Sequence, residues 1–162
     1  MRQRGQLMES LIRVIYVCST PSGINEHEIL RLLKQARIAN RKQDVSGMLL
    51  YIGGFFLQTL EGEAAMVDAV SGTIFRDKPR LRLTQIAREP IVEREFSEWT
   101  MGFATVDPLE AGRLLGDEKL FRSAPSVVRL DSEGAKTLLT IFGRRRYQAD
   151  RSGLYKAITR PA

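Results

Sequence analysis

The chain has 162 residues, 43% of them hydrophobic and 27% charged, a balance that fits one globular domain with a small appendage. A single histidine, His27, and a single cysteine, Cys18, exclude an internal disulfide, fit a reducing cytoplasm and argue against a zinc or haem centre built from those ligands. The net charge of +6 admits a nucleic acid or an acidic partner. The excess gathers late, however, around Arg144, Arg145, Arg146, Arg151, Lys156 and Arg160, as in a solvated tail or a partner-binding surface rather than a base-reading element.

The opening MRQRGQLMES is basic but runs into no hydrophobic core with a small-residue cleavage site, so it reads as a disordered leader and not as a signal peptide. No apolar run approaches the ~20 residues of a membrane helix. Leu11 to Ser19, rich in β-branched residues, predicts a strand. Ile12, Val14, Tyr16 and Cys18 share one of its faces, while Leu11, Ile15 and Val17 take the other. Two apolar faces suit a central strand. Asn25 followed by Glu28 resembles a capping box and starts a helix that runs to about Asn40, with Ile29, Leu32, Leu33 and Ala36 on its apolar stripe. Asn40 either prolongs that stripe inward or simply ends the helix.

Val45 to Gly62, VSGMLLYIGGFFLQTLEG, predicts a hairpin turned at Gly53-Gly54. On its second strand Phe56, Gln58 and Leu60 share a face, which puts a primary amide between apolar side chains. Left unpartnered, that amide would cost roughly 1–3 kcal/mol, so either the surrounding protein or a ligand has to bond it. Glu63 to Asp77 predicts a second helix with Met66, Ala69, Val70, Thr73 and Ile74 inward, ended at Lys78-Pro79. Leu83 to Ala87 is a short fourth strand, and Trp99 to Val106 a fifth with Trp99, Met101 and Phe103 on one face. Asp107-Pro-Leu-Glu110 caps a short helix ending near Gly116. After a polar connector containing Pro125, Ser132 to Phe142 forms another short amphipathic helix, stopped by Gly143.

The order is that of an α+β, ferredoxin-like βαββαβ fold: a mixed sheet with two helices on one face, an added fifth strand and two short C-terminal helices. A right-handed crossover leaves a gap for the third strand beside the first, bringing Tyr16 and Gln58 onto neighbouring strands. The C-terminal helices would cover the free face of the sheet or meet a second copy of the chain. Residues 9–106 and 107–162 divide as core domain and helical extension.

Several chemistries lack their parts. There is no Gly-rich phosphate loop, no histidine placed as base for a hydrolytic triad, and no reason to expect shifted pKa values at Glu61 or Glu63. The RNA-recognition module shares this element order, but its third-strand signature is absent from GGFFLQTLEG, which disfavours nucleic acid.

The set Tyr16, Asn40, Gln58, Trp99 and Met101, carried by IRVIYVCS, QARIAN, VSGMLLYIGGFFLQTLEG, IFRDKPR and REFSEWTMGF, resembles the BLUF domain, the blue-light sensor using FAD. The resemblance runs from about Met8 to Val106. It implies a flavin ring between the two helices, over the sheet. Tyr16 would be the redox-active tyrosine, Gln58 the switching glutamine and Asn40 the partner of the ring's carbonyl edge. Leu32 and Ile74 would flank the ring, and Asp77 and Arg80 would approach its ribityl-phosphate end. Trp99 and Met101 match the pair whose exchange near the flavin is argued over in the family. Ala36 and Ala39 depart from residues found in many members, and Thr73 and Pro79 from basic residues found in some, which implies fewer contacts to the cofactor. The resemblance further implies that light moves an electron and a proton from Tyr16 through Gln58, whose amide ends in a changed hydrogen bond. Output would pass through the last strand and the C-terminal helices to a separate effector protein, with homo-oligomerisation and without catalysis by this chain. The competing reading is a light-insensitive ferredoxin-like module for binding or oligomerisation.

Overall fold

A computed structural model of the chain describes residues 10–19, 24–76, 82–121 and 130–151. The elements are β1 (Leu11–Ser19), α1 (Glu26–Lys42), β2 (Ser46–Ile52), β3 (Phe55–Glu63), α2 (Ala64–Arg76), β4 (Arg82–Pro90), β5 (Gly102–Val106), α3 (Pro108–Leu114) and α4 (Ser132–Arg151). Five strands form one sheet in the order β4-β1-β3-β2-β5, with only the β2–β5 pair parallel. This is the ferredoxin-like arrangement with a strand added at the β2 edge.

Local chemistry accounts for most of the boundaries. The Asn25 side chain accepts from the Glu28 backbone N–H while the Glu28 carboxylate accepts from the Asn25 N–H, a complete capping box. Gly53 and Gly54 take φ of 52° and 96° and let Ile52 pair directly with Phe55. Asp107 caps α3, with Pro108 at its first turn.

The sheet is covered on both faces. On the upper one, Val14, Tyr16, Leu49, Phe56 and Leu60 pack with Ile29, Leu33 and Ala36 of α1 and Val67 and Val70 of α2. On the lower one, Ile15, Met48, Leu50 and Leu57 pack with Leu138, Leu139 and Phe142 of α4. Of the two destinations expected for the C-terminal helices, α4 takes the free face of the sheet.

Three expectations need correction. β4 extends to Pro90 because β1 offers it a pairing partner as far as Ile12. Its register with β1 slips between Ile15 and Tyr16, and the extra residue explains why consecutive Ile86 and Ala87 both pack on the lower cluster. The last strand starts at Gly102 and not at Trp99, because the Trp99 N–H turns back onto the Phe96 carbonyl at 3.1 Å. Helix α4 is not short and does not stop at Gly143. A Cβ there would lie 2.7 Å from Phe96 Cε1, so this glycine makes room for a ring inside the helix–sheet contact, and the helix continues to Arg151. The leader at 1–9, Pro125, Lys156 and Arg160 lie outside the described residues.

Candidate functional site

Tyr16 and Gln58 stand directly opposite each other in the antiparallel β1–β3 register. Both are buried on the upper face, where side chains of directly paired residues meet. The Gln58 amide is bonded: its Nε2 donates to the Met101 thioether at 4.0 Å. Met101 is fully buried on that face together with Phe103.

Trp99 is not on that face. It precedes the strand, in backbone without the strand's period of two, and packs half-buried against the lower cluster. The expected shared face of Trp99, Met101 and Phe103 therefore holds only for the last two.

Asn40 lies inside α1, two residues before its end, with no exposed surface. Its Nδ2 donates to the Thr100 carbonyl at 2.6 Å, and its Oδ1 is buried with no hydrogen-bond partner among the described residues. Such an acceptor is costly unless a donor is brought to it. A cleft of about 350 Å³ opens between α1 and α2, lined by Gln35, Ile38, Ala39, Lys42, Gln43, Ala69, Val70 and Thr73; Tyr16, Asn40 and Gln58 are not among its lining residues. Ala39 and Thr73 thus belong to the wall of this cleft. Leu32 packs half-buried against the same upper cluster. Ile74 belongs to α2, though its side chain is outside the described residues, as are Asp77 and Arg80 entirely. A buried amide oxygen on α1 with no donor among the described residues suits a group that brings an N–H to it, as the polar edge of a flavin would. The residues present fit a flavin. Cys18, at the end of β1 on the same face, is kept a neutral thiol by burial, which pushes it up to about 12.

Two residues with roles around the site escaped the sequence reading. Arg37 of α1 is only 3% exposed and donates from Nε to the Met101 carbonyl at 3.0 Å. Its sequence signal is a charge four residues after Leu33 and three before Asn40, in register with the apolar stripe. Glu61 is fully buried below the sheet. Its Oε1 accepts the backbone N–H groups of Glu95 and Phe96, both at 2.9 Å, and its Oε2 pairs with Arg13 at 3.1 Å. Arg13 also reaches Glu89 and Glu95, while Lys136 of α4 pairs with Glu89 at 2.9 Å. The lower face is thus tied to α4 through charge as well as apolar contact.

Comparison with known proteins agrees with this geometry. Over 101 residues the chain is 28% identical to the photoactivated adenylate cyclase subunit beta-like protein FB of Euglena gracilis, a match covering 62% of this chain and 12% of that protein. It is 29% identical over 99 residues to the photoactivated adenylate cyclase subunit alpha of the same organism, covering 60% of this chain and 10% of that one. The chain therefore spans only about an eighth of the length of such relatives. Among solved structures it is similar to BlsA in its photo-activated state, with a TM-score of 0.68 at 24% identity, covering 82% of this chain and 94% of that one. It is also similar to the dark-state BLUF protein BlrB, with a TM-score of 0.61 at 22% identity over 88% of this chain and 98% of that one. At these identities the structural likeness speaks for the fold. Among the described residues no helix is long and apolar enough to cross a membrane. The family model for sensors of blue light using FAD matches residues 11–102, more than half of the chain, and the protein belongs to that family, BLUF.

Proposed function

We propose that the chain is a blue-light receptor in which Tyr16 and Gln58 form the switch and the Met101 segment carries its state outward. BLUF domains bind FAD; in this reading the ring lies in the α1–α2 cleft, with Asn40, Gln58 and Leu32 about it and Ile74 opposite. Asp77 and Arg80 serve its ribityl-phosphate end. When bound, FAD supplies blue absorption and an excited state that takes an electron.

The rest is done by the chain. Tyr16 offers a phenol that can release an electron together with its proton. Gln58 faces it from the neighbouring strand with donor and acceptor on one amide, so the same group can pass a proton and settle with its two ends exchanged. The observation that carries the reading is the direct Tyr16–Gln58 pairing combined with the bond from Gln58 Nε2 to Met101 Sδ. A thioether accepts but never donates. Reversal of the amide by rotation brings Oε1 to the sulfur and ends that bond, so Met101 distinguishes the two amide states. Met101 immediately precedes β5, and β5 packs on the face covered by α4 through Ala104 and Val106. The output passes from there in trans to an effector protein or a second copy of the chain, in keeping with the residues after β5, which build helices on the sheet. Trp99, packed on the lower cluster just before Met101, moves with this segment as its secondary reporter.

The test is a visible spectrum of the purified protein before and after blue illumination. The parent should be yellow and undergo a small, persistent and reversible red shift. Tyr16→Phe and Gln58→Leu should each retain FAD and lose the shift. A parent that stays colourless with ample riboflavin supply overturns the receptor reading, and a parent-like shift in either variant overturns the switch.

A further inference from the structure

Methionine has three rotatable bonds, so Met101 does little by itself to fix where its sulfur lies. Nor does a strand ladder hold its backbone, since residues 91–101 lie outside any strand. Three discrete hydrogen bonds to successive carbonyls do so instead. The Gly47 N–H donates to Trp99 O at 3.1 Å, Asn40 Nδ2 to Thr100 O at 2.6 Å and Arg37 Nε to Met101 O at 3.0 Å. Two of the three come from α1. Arginine is rarely buried to this degree, and of the Arg37 guanidinium it is Nε that bonds the Met101 carbonyl.

We infer that Arg37 is a positioning residue for the switch: its Nε–H holds the Met101 carbonyl and, with Asn40, sets where the thioether meets the Gln58 amide. Helix α1 lines the cleft on one side and grips the Met101 segment on the other. It therefore fixes the distance between the two ends of the light-driven exchange. The inference rests on the reading of Gln58 as the switch.

Side-chain length provides a sharp test. In Arg37→Gln the amide nitrogen falls at the position of Arg Nε, keeping a donor there without the charge. In Arg37→Lys a methylene falls at that position and the charge is kept; Arg37→Met removes both. All three are made in the full chain beside Gln58→Leu, with thermal unfolding and the flavin-to-protein absorbance ratio recorded for each. The first measurement is the half-time of return to the dark spectrum after a blue pulse. The second is the Met101 methyl resonance in protein labelled with 13C-methyl methionine, assigned with Met101→Leu and recorded with and without FAD. Arg37→Gln should stay close to the parent in both. Arg37→Lys and Arg37→Met should change the half-time by about tenfold, the rate equivalent of one hydrogen bond, and displace or broaden the Met101 methyl signal even without FAD. A parent-like Arg37→Lys, or an Arg37→Gln that departs as far as Arg37→Met, overturns the inference. If the methionine variant fails to fold, the contrast between glutamine and lysine still decides. Loss of the red shift in Gln58→Leu alongside parent-like Arg37 variants overturns the inference alone, whereas a retained shift in Gln58→Leu overturns the reading beneath it.

Discussion

Glu61 holds the turn before Met101 with a carboxylate that has no exposed surface, and it does so on the face opposite Gln58, farther along the same strand. Both of its oxygens are used, one by two backbone N–H groups and the other by Arg13. Breaking a buried ion pair from one side typically costs about 3–5 kcal/mol. Because Arg13 keeps Glu89 and Glu95 as neighbours, the loss in Glu61→Gln should fall below that range, at about 2–3 kcal/mol by urea denaturation, as for hydrogen bonds to charged groups. A change below about 0.5 kcal/mol, the level of ordinary surface substitutions, would mean that the turn is held by something else. The sequence offered a partial clue to this role. Glu61 shares the face of Phe55 and Leu57, so its alternation marks it as inward, but its partners are 48 and 34 residues away. No local pattern points to partners that far off. Tyr16 and Gln58 were legible for the opposite reason: alternation along each strand and one topological rule suffice to bring them face to face.

At the level of elements, the amphipathic helices and the glycine hairpin could be read in advance because periodicity and capping are local properties. The segment leading to Met101 could not, since a few separate bonds from α1, β2 and Glu61 hold it and no repeating ladder does. Gly143 was misread because a glycine in a helical pattern usually signals a stop, and only the position of Phe96 reveals that it serves packing. That assignment is open to measurement. Alanine in place of a mid-helix glycine normally gains about 1 kcal/mol, but here the new Cβ would meet the Phe96 ring, and overpacking costs about 1–3 kcal/mol. Gly143→Ala should therefore destabilise the parent yet stabilise a Phe96→Ala background, where the ring is gone. The same sign in both backgrounds would refute the contact as the reason for the glycine.

For the molecule as a whole, the link between sheet and α4 has a definite pH window. The Lys136 ammonium bonded to Glu89 is the main cause that holds this carboxyl below its ordinary value of 4.5, with Arg13 adding to it. The Glu89 carboxylate in turn raises Lys136 above 10.5. A lowered carboxyl pKa contributes stability that is present above 4.5 and lost as pH falls through the folded value. A raised ammonium pKa contributes stability present below 10.5 and lost as pH climbs through its folded value. The tie is thus complete between those limits. Denaturation as a function of pH should show a shallower acid limb in Lys136→Met than in the parent, and an unchanged limb would mean that the pair adds nothing to the docking of α4.

The irregularity in β4 bears on how such molecules can meet. β4 is an outer strand, and an outer strand exposes main-chain groups that another chain could extend into a continuous ladder. Here the slipped register breaks its spacing, Arg88 and Glu89 add charge, and Pro90 ends it without an N–H to give. The opposite border, β5, is only five residues long. Both borders are thus poor templates for ladder-wise growth, one by irregularity, charge and proline and the other by shortness, so association along the rims of the sheet is disfavoured.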